Sequence, residues 1–271
     1  MDYKIYDPAP ELQPFVKCFW TLEDDRMEEP VKQRVIPDGC MEMIFHYGDL
    51  YKQYFEDGSS VIQPRSFIFG QITKYIEIAP TGVSGIIAAR FFPEGLTPFL
   101  TLSISDLENK AVSLTDIFGE KAKDLEDEVI AATDHAHRIK FIERFLLSRL
   151  ADPDTIDSIA KACVDVIFQS QGQLDVMQLV DKMNINRRNI ERKFTSAIGM
   201  SPKQLLKVVR LQAAMKMLEQ KKFNSLTSLA YENGYYDQAH FIKDFREFTG
   251  MSPKSFFADN LKLSALFIAE D

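Results

Sequence analysis

The feature that most constrains this chain is a duplication within its last hundred residues. Ile190-Glu191-Arg192-Lys193-Phe194, followed by Gly199-Met200-Ser201-Pro202, returns 51 residues later as Phe241-Ile242-Lys243-Asp244-Phe245, followed by Gly250-Met251-Ser252-Pro253. Upstream, Val176, Leu179 and Val180 return as Leu226, Leu229 and Ala230, now at an offset of 50. One residue has therefore been added in the later copy, around Gly234-Tyr235-Tyr236-Asp237, where a turn absorbs it. The chain must contain two copies of one small helical unit.

Each copy carries the parts of a helix-turn-helix. In the first, a short helix over Asp175 to Met183 ends at Asn184, which tolerates the left-handed conformation, and Asn186 caps the helix that follows. In the second, Leu226 to Asn233 ends at Gly234, a residue free to take positive φ, and Asp237 is the next cap. Leu179, Ile185, Ile190 and Phe194 supply one tri-helical core, and Leu229, Tyr235, Phe241 and Phe245 the other. Between them, Pro202 to Gln220 reads as a long helix with Leu205, Leu206, Val209, Leu211, Ala213, Ala214, Met217 and Leu218 mostly on its buried side. Such a helix fixes the separation of the two units. Successive major grooves on one face of DNA lie about 34 Å apart, so one chain can address both.

The second helix of each unit is the expected reader. The first presents Arg187, Arg188, Glu191 and Arg192, with Lys193 beside them. Arginine forms paired hydrogen bonds to guanine, and glutamate accepts from cytosine. The second presents Gln238, Ala239, His240, Ile242, Lys243 and Arg246, where Gln suits adenine and Ala or Ile suits a thymine methyl. Arg210, on the connecting helix, is equally suited to a structural ion pair and to a phosphate.

Net charge first points the other way, because the chain carries -8 and DNA favours basic partners. The sign reverses locally. From Gln171 to Phe257, 14 Lys and Arg stand against 8 Asp and Glu, a net +6, while the remainder has 18 against 32, a net -14.

The N-terminal half has a different texture. Runs such as 42–47, 66–69 and 85–92 are rich in strand-forming residues, and turn-forming Pro37-Asp38-Gly39, Asp57-Gly58-Ser59-Ser60, Pro80-Thr81-Gly82 and Pro93-Glu94-Gly95 separate them. The expectation is a small antiparallel sheet or barrel. From Ser105 the period becomes helical, through Leu125, Val129 and Ile130 and then Ile139, Ile142, Phe145 and Leu146. The predicted class is α+β: a β-rich domain with following helices over 1–152, an all-α domain of two helix-turn-helix subdomains over 155–260, and a tail over 261–271. Asp152-Pro153-Asp154 marks the boundary, since proline flanked by acids breaks a helix.

The expected function is sequence-specific DNA binding in transcription regulation, with double-stranded DNA as partner. An effector pocket inside the N-terminal sheet is one use of its aromatics, and Trp20, Arg34, Asp38, Glu42 and Arg90 are its candidate residues, because charges on strands near buried faces need partners. The plain alternative is that Phe45, Phe67, Phe69, Phe91 and Trp20 fill the core. Another is an architectural or protein-interaction module without a small-molecule ligand, whose Ile139, Ile142, Phe145 and Leu146 stripe pairs two chains or contacts RNA polymerase. An enzyme is not expected: Cys40 near His46 lacks a third group, His135 and His137 point to different helical faces, and no phosphate-cradling glycine loop occurs. No cofactor or metal is expected. Three widely spaced cysteines do not form a disulfide framework. No segment reads as a leader or a membrane span, so the expected location is cytoplasmic.

Residues 172 to 257 resemble the C-terminal domain of AraC/XylS transcription regulators. The resemblance is carried by Leu229-Ala230, Gly234-Tyr235-Tyr236-Asp237-Gln238-Ala239-His240-Phe241, Lys243, Phe245, Thr249-Gly250 and Pro253, with Arg210-Leu211-Gln212-Ala213-Ala214 on the connecting helix. It implies two helix-turn-helix subdomains in which Arg188, Glu191, Arg192, Gln238, Ala239 and Lys243 face bases or nearby phosphates. Lys243 departs from the family's usual Arg and Tyr236 from its usual small hydroxyl residue. Lysine lacks the rigid donor fork of arginine. The N-terminal part is similar to a less characterised sensory-type domain through Leu12-Gln13-Pro14-Phe15-Val16 with Phe19-Trp20, Pro37 to His46, and Ala89-Arg90-Phe91. That likeness implies no particular ligand, and the histidine and acid pattern of a metal-bearing cupin does not occur.

Overall fold

The computed structural model describes residues 1–24, 31–150, 156–220 and 222–258. The boundary assigned to Asp152-Pro153-Asp154 and the tail over 261–271 lie outside the described residues.

Among the described residues, the N-terminal half contains ten strands: β1 Asp2–Tyr6, β2 Val16–Asp24, β3 Gln33–Val35, β4 Met41–His46, β5 Tyr51–Tyr54, β6 Ser60–Ile62, β7 Ser66–Phe69, β8 Ile76–Pro80, β9 Ser84–Phe91 and β10 Ala111–Ser113. They form a six-stranded sheet in the order β1-β2-β9-β4-β7-β10 and a four-stranded sheet in the order β3-β8-β5-β6, with antiparallel pairing throughout.

The central strands of the larger sheet are covered on both faces. Side chains alternate across a strand, so Met41, Met43 and Phe45 of β4 and Ile87, Ala89 and Phe91 of β9 point one way. They meet a helical layer of α1 Leu114–Phe118, α2 Glu120–Ala131 and α3 His135–Arg149, which supplies Leu125, Val129, Ile142 and Leu146. Trp20, Leu22, Ile86 and Ala88 point the other way, toward Tyr51 and Ile78 of the smaller sheet. The stripe Ile139, Ile142, Phe145 and Leu146 belongs to the internal core, so it is not a face for pairing chains. The helical period predicted from Ser105 is also interrupted, since β10 adds an edge strand beside β7 before α1 begins.

The C-terminal half is helical: α4 Ser158–Gln169, α5 Val176–Met183, α6 Arg187–Ile198, α7 Pro202–Glu219, α8 Leu226–Glu232, α9 Gln238–Thr249 and α10 Pro253–Ala258. One core gathers α4, α5, α6 and the start of α7 around Leu179, Ile190 and Phe194. A second gathers the rest of α7 with α8 and α9 around Leu229, Phe241 and Phe245. Ile36, from the loop before β4, is buried in that second core, so the two halves of the chain share apolar surface.

Candidate nucleic-acid interface and enclosed cavity

The duplication in sequence is a duplication in structure. Asp175 and Ser225 both close capping boxes at the starts of α5 and α8, satisfying backbone N–H groups that a helix otherwise leaves bare. Asn186 and Asp237 then cap α6 and α9 through the backbone N–H of Asn189 and His240. Asn184 takes the left-handed conformation expected of it, with φ 51°. Both reader helices end on glycines, Gly199 at φ +83° and Gly250 at φ +70°, which a side chain would strain.

Burial divides each reader into an inner and an outer face. On α6, Ile190 and Phe194 are fully buried, while Arg187, Arg188 and Arg192 are exposed and Glu191 is half-buried. Arg187 Nε donates to Glu191 Oε1 at 2.8 Å, and Arg192 Nη2 to Asn189 Oδ1 at 3.2 Å. These are surface contacts that an incoming phosphate or base can displace at small cost. Lys193 is turned away from this face, and its ammonium meets Asp157, the cap of α4, at 2.7 Å. On α9, Ala239, Lys243 and Arg246 are exposed, whereas Gln238 and Ile242 are half-buried. Gln238 Oε1 accepts from the Thr227 hydroxyl at 2.7 Å, and Ile242 packs on the second core. His240 stands edge-on to Tyr235.

Arg210 has a structural task. Its guanidinium donates to the carbonyls of Gly172 and Leu174 and lies over the ring of Tyr235, 5.5 Å from its centroid. It ties the segment before α5 to the turn between α8 and α9. The partners are carbonyls and a ring, not the acid of an ion pair.

The N-terminal domain holds both units from behind. A Cβ on Gly199 would come within 2.7 Å of Ile104 Cγ2, and one on Gly250 within 2.5 Å of Tyr75 Cε1. Equivalent ends of the two helices are therefore seated on two side chains of the N-terminal half. Thr97 donates to the Ala197 carbonyl at 2.7 Å, and Gln212 to the Pro37 carbonyl at 2.6 Å. Arg34, a candidate for an effector pocket, is engaged here instead. Its guanidinium bonds Glu77 and donates to the Thr249 carbonyl at 2.9 Å, which places it at the domain contact and not among the residues lining the cavity between the sheets.

Trp20, Asp38, Glu42 and Arg90 do come together, in a cavity between the two sheets with about 680 Å³ of unfilled space counted out to its mouth. Strand register explains the cluster, because Arg90 of β9 stands opposite both Cys18 of β2 and Glu42 of β4. The buried guanidinium donates to Glu42 Oε1 at 3.1 Å and to Asp38 Oδ2, and Trp20 Nε1 also donates to Glu42 Oε1, at 3.0 Å. Burial pushes the Glu42 carboxyl above its usual range, against the pull of Arg90. It likewise pushes the Cys18 thiol to about 11 and the Cys40 thiol upward, away from the thiolate that nucleophilic chemistry uses.

Sequence reasoning missed His46 as a cavity residue and Ile36 as a shared core residue. Period-two spacing places His46 on the same face of β4 as Glu42 and Ile44, which was a usable signal. Nothing local marks Ile36.

A family described as "Helix-turn-helix domain" matches residues 179–259, and one described as "Domain of unknown function (DUF6597)" matches residues 4–113. An uncharacterized HTH-type transcriptional regulator of Haemophilus influenzae is 34% identical over 122 residues, covering 45% of this chain and 39% of that protein. The HTH-type transcriptional activator RhaS of Pectobacterium carotovorum is 32% identical over 77 residues, covering 28% of this chain and 27% of its own. The chain thus spans less than half the length of these curated relatives. Among solved structures, ToxT from Vibrio cholerae bound to (E)-4-(8-methylnaphthalen-1-yl)but-3-enoic acid superposes with a TM-score of 0.49 at 13% identity, covering 89% of this chain and 98% of that one. Among the described residues, no helix is long and apolar enough to cross a membrane.

Proposed function

We infer that this chain, which joins an AraC/XylS-type helix-turn-helix domain to an N-terminal domain of the DUF6597 family, is a sequence-specific DNA-binding transcription regulator. The observation that carries the reading is the repeated division of α6 and α9 into a fully buried aromatic face and an exposed face bearing cations. A solvated surface helix has no need of a second copy with an equivalent side-chain cap and the same glycine end. Arg187, Arg188, Glu191 and Arg192 read the first major groove; Gln238, Ala239, Ile242, Lys243 and Arg246 address the second. Arg188 and Arg192 contribute most of the base discrimination, since Gln238 and Ile242 are partly engaged within the protein.

The N-terminal domain is the sensing part. The cavity between its sheets and its seat beneath both readers support this role. Selection of bound fragments from random duplexes by the full chain tests the first reading. The expected outcome is a contiguous, asymmetric site of about two helical turns per chain. Failure to enrich any sequence over random DNA would remove the reading.

A further inference from the structure

The cavity between the sheets is narrow, enclosed and mostly apolar, with the polar groups confined to a few positions. Leu22, Ile44, Phe67, Ile76 and Ile86 are among the apolar residues of its wall. Two features depart from ordinary core packing.

The first is His46. It is 1% exposed, it stacks on Tyr51 at 5.4 Å and 11°, and neither ring nitrogen makes a hydrogen bond of ordinary geometry. The Gln63 amide beside it only moderates the burial that keeps the ring neutral. A buried polar group left so is costly, and a guest that hydrogen-bonds to it removes the cost.

The second is the imbalance at the other end. Two carboxylates, Asp38 and Glu42, share one guanidinium, Arg90. Both bonds to Glu42 end on Oε1, which leaves Oε2 to accept from something else. This end of the slot favours a donor or a positive charge. A guest carboxylate would have to compete for Arg90, which is already committed to both acids.

Geometry relates the two ends. Glu42 and His46 lie four residues apart on one face of β4, about 13 Å along a strand, with Ile44 between them. A molecule touching both is elongated, with an apolar middle. The rings of Trp20, Tyr51 and Phe67 along the slot suit a flat one.

We propose that this slot binds a flat, elongated, mainly apolar molecule that carries an amine at the Glu42 end and a hydroxyl at the His46 end, and that it discriminates against carboxylates. The inference rests on the sensing role given above to the N-terminal domain, and it names the chemistry sensed. The slot is also wired to the DNA-binding half. The loop Ile36 to Cys40 places Ile36 in the second helical core, the Pro37 carbonyl on Gln212 and Asp38 on Arg90.

The test uses the full chain and three matched probes: 3-(4-hydroxyphenyl)propylamine, 3-phenylpropylamine and 3-(4-hydroxyphenyl)propanoate. Calorimetry measures their affinities, and the emission of Trp20, the chain's one tryptophan, reports whether they occupy the slot. The hydroxylated amine is expected to bind at least about ten-fold more tightly than either of the others. Glu42→Gln retains an oxygen for Trp20 and Arg90, and should erase the preference for amine over carboxylate. His46→Phe should erase the preference for the hydroxyl while leaving the amine preference intact. Each variant is read as a change in one ratio, so a general loss of stability does not mimic either result. Equal or tighter binding of the propanoate, or no binding of any probe at millimolar concentration, overturns the proposal. Random-duplex selection without any probe separates the two readings. If it fails while the probes bind as expected, the regulatory function is lost and the site stands.

Discussion

At the scale of single residues, the two faces of α6 make opposite demands on substitution. Arg188→Ala and Arg192→Ala remove exposed side chains, so folding should hardly change. Each should lower affinity for the selected site by about 1–3 kcal/mol and for random duplex by much less. Equal losses on both DNAs, measured by titration at one fixed salt concentration, would assign these arginines to phosphate. Phe194→Ala should instead destabilise the first unit by about 3–5 kcal/mol, read by thermal or denaturant unfolding. Sequence distinguishes these residues well, because helical period alone sorts Phe194 inward and Arg192 outward. It distinguishes Lys193 poorly, since the side chain that claims it, Asp157, lies on another helix.

At the scale of elements, the helix-turn-helix units were legible because their determinants are local. A cap, a left-handed Asn or Gly and an apolar triplet all lie within a dozen residues, and the duplication shows the set twice. The sheets were legible in part. β9 is buried along its whole length, so the apolar-polar alternation that identifies a half-exposed strand is missing from 85–92, although the run itself is visible. The smaller sheet escaped because β3, β5 and β6 are three or four residues long and gain their identity only from pairing partners far away in sequence. Element ends give a further expectation. Ser201 both accepts from Gln204 N–H and faces the Gln204 side chain returning to its own N–H. Ser201→Ala should cost about 1 kcal/mol of stability in chemical denaturation without changing which DNA is selected.

At the scale of the molecule, two titrating groups give pH its handle. Burial lowers the pKa of His46 from an ordinary 6.5 to about 4, so the unfolded chain takes up a proton that the folded chain refuses. The corresponding stability is complete above pH 6.5 and falls as the pH drops toward 4, by roughly 3 kcal/mol in all. His46→Phe should flatten that limb of the stability curve. Glu94 behaves in the opposite sense. Burial raises its carboxyl above the usual range, with Lys161 offsetting part of the effect at 3.3 Å, so the folded chain holds this proton more tightly and the group costs stability as the pH rises past its folded pKa. Glu94→Gln should raise the melting temperature at neutral pH; a lower one would mean that the pairing with Lys161 outweighs burial. Ile36 predicts cooperativity. Because it completes a core made otherwise of α7, α8 and α9 with α10, Ile36→Ala should weaken the C-terminal half by about 2–5 kcal/mol, and heating the intact chain should melt both halves in one transition.

Ile104 and Tyr75 act as two fixed pegs under the trailing ends of α6 and α9. The angle between α6 and α9 is therefore a property of the N-terminal half's surface as well as of the long helix that joins them. Grafting residues 156–258 onto an unrelated N-terminal domain would preserve each helix yet remove the jig, and the hybrid should tolerate DNA sites whose halves differ by a base pair or so in spacing. The intact protein, measured against the same series of spacings, should accept a single register.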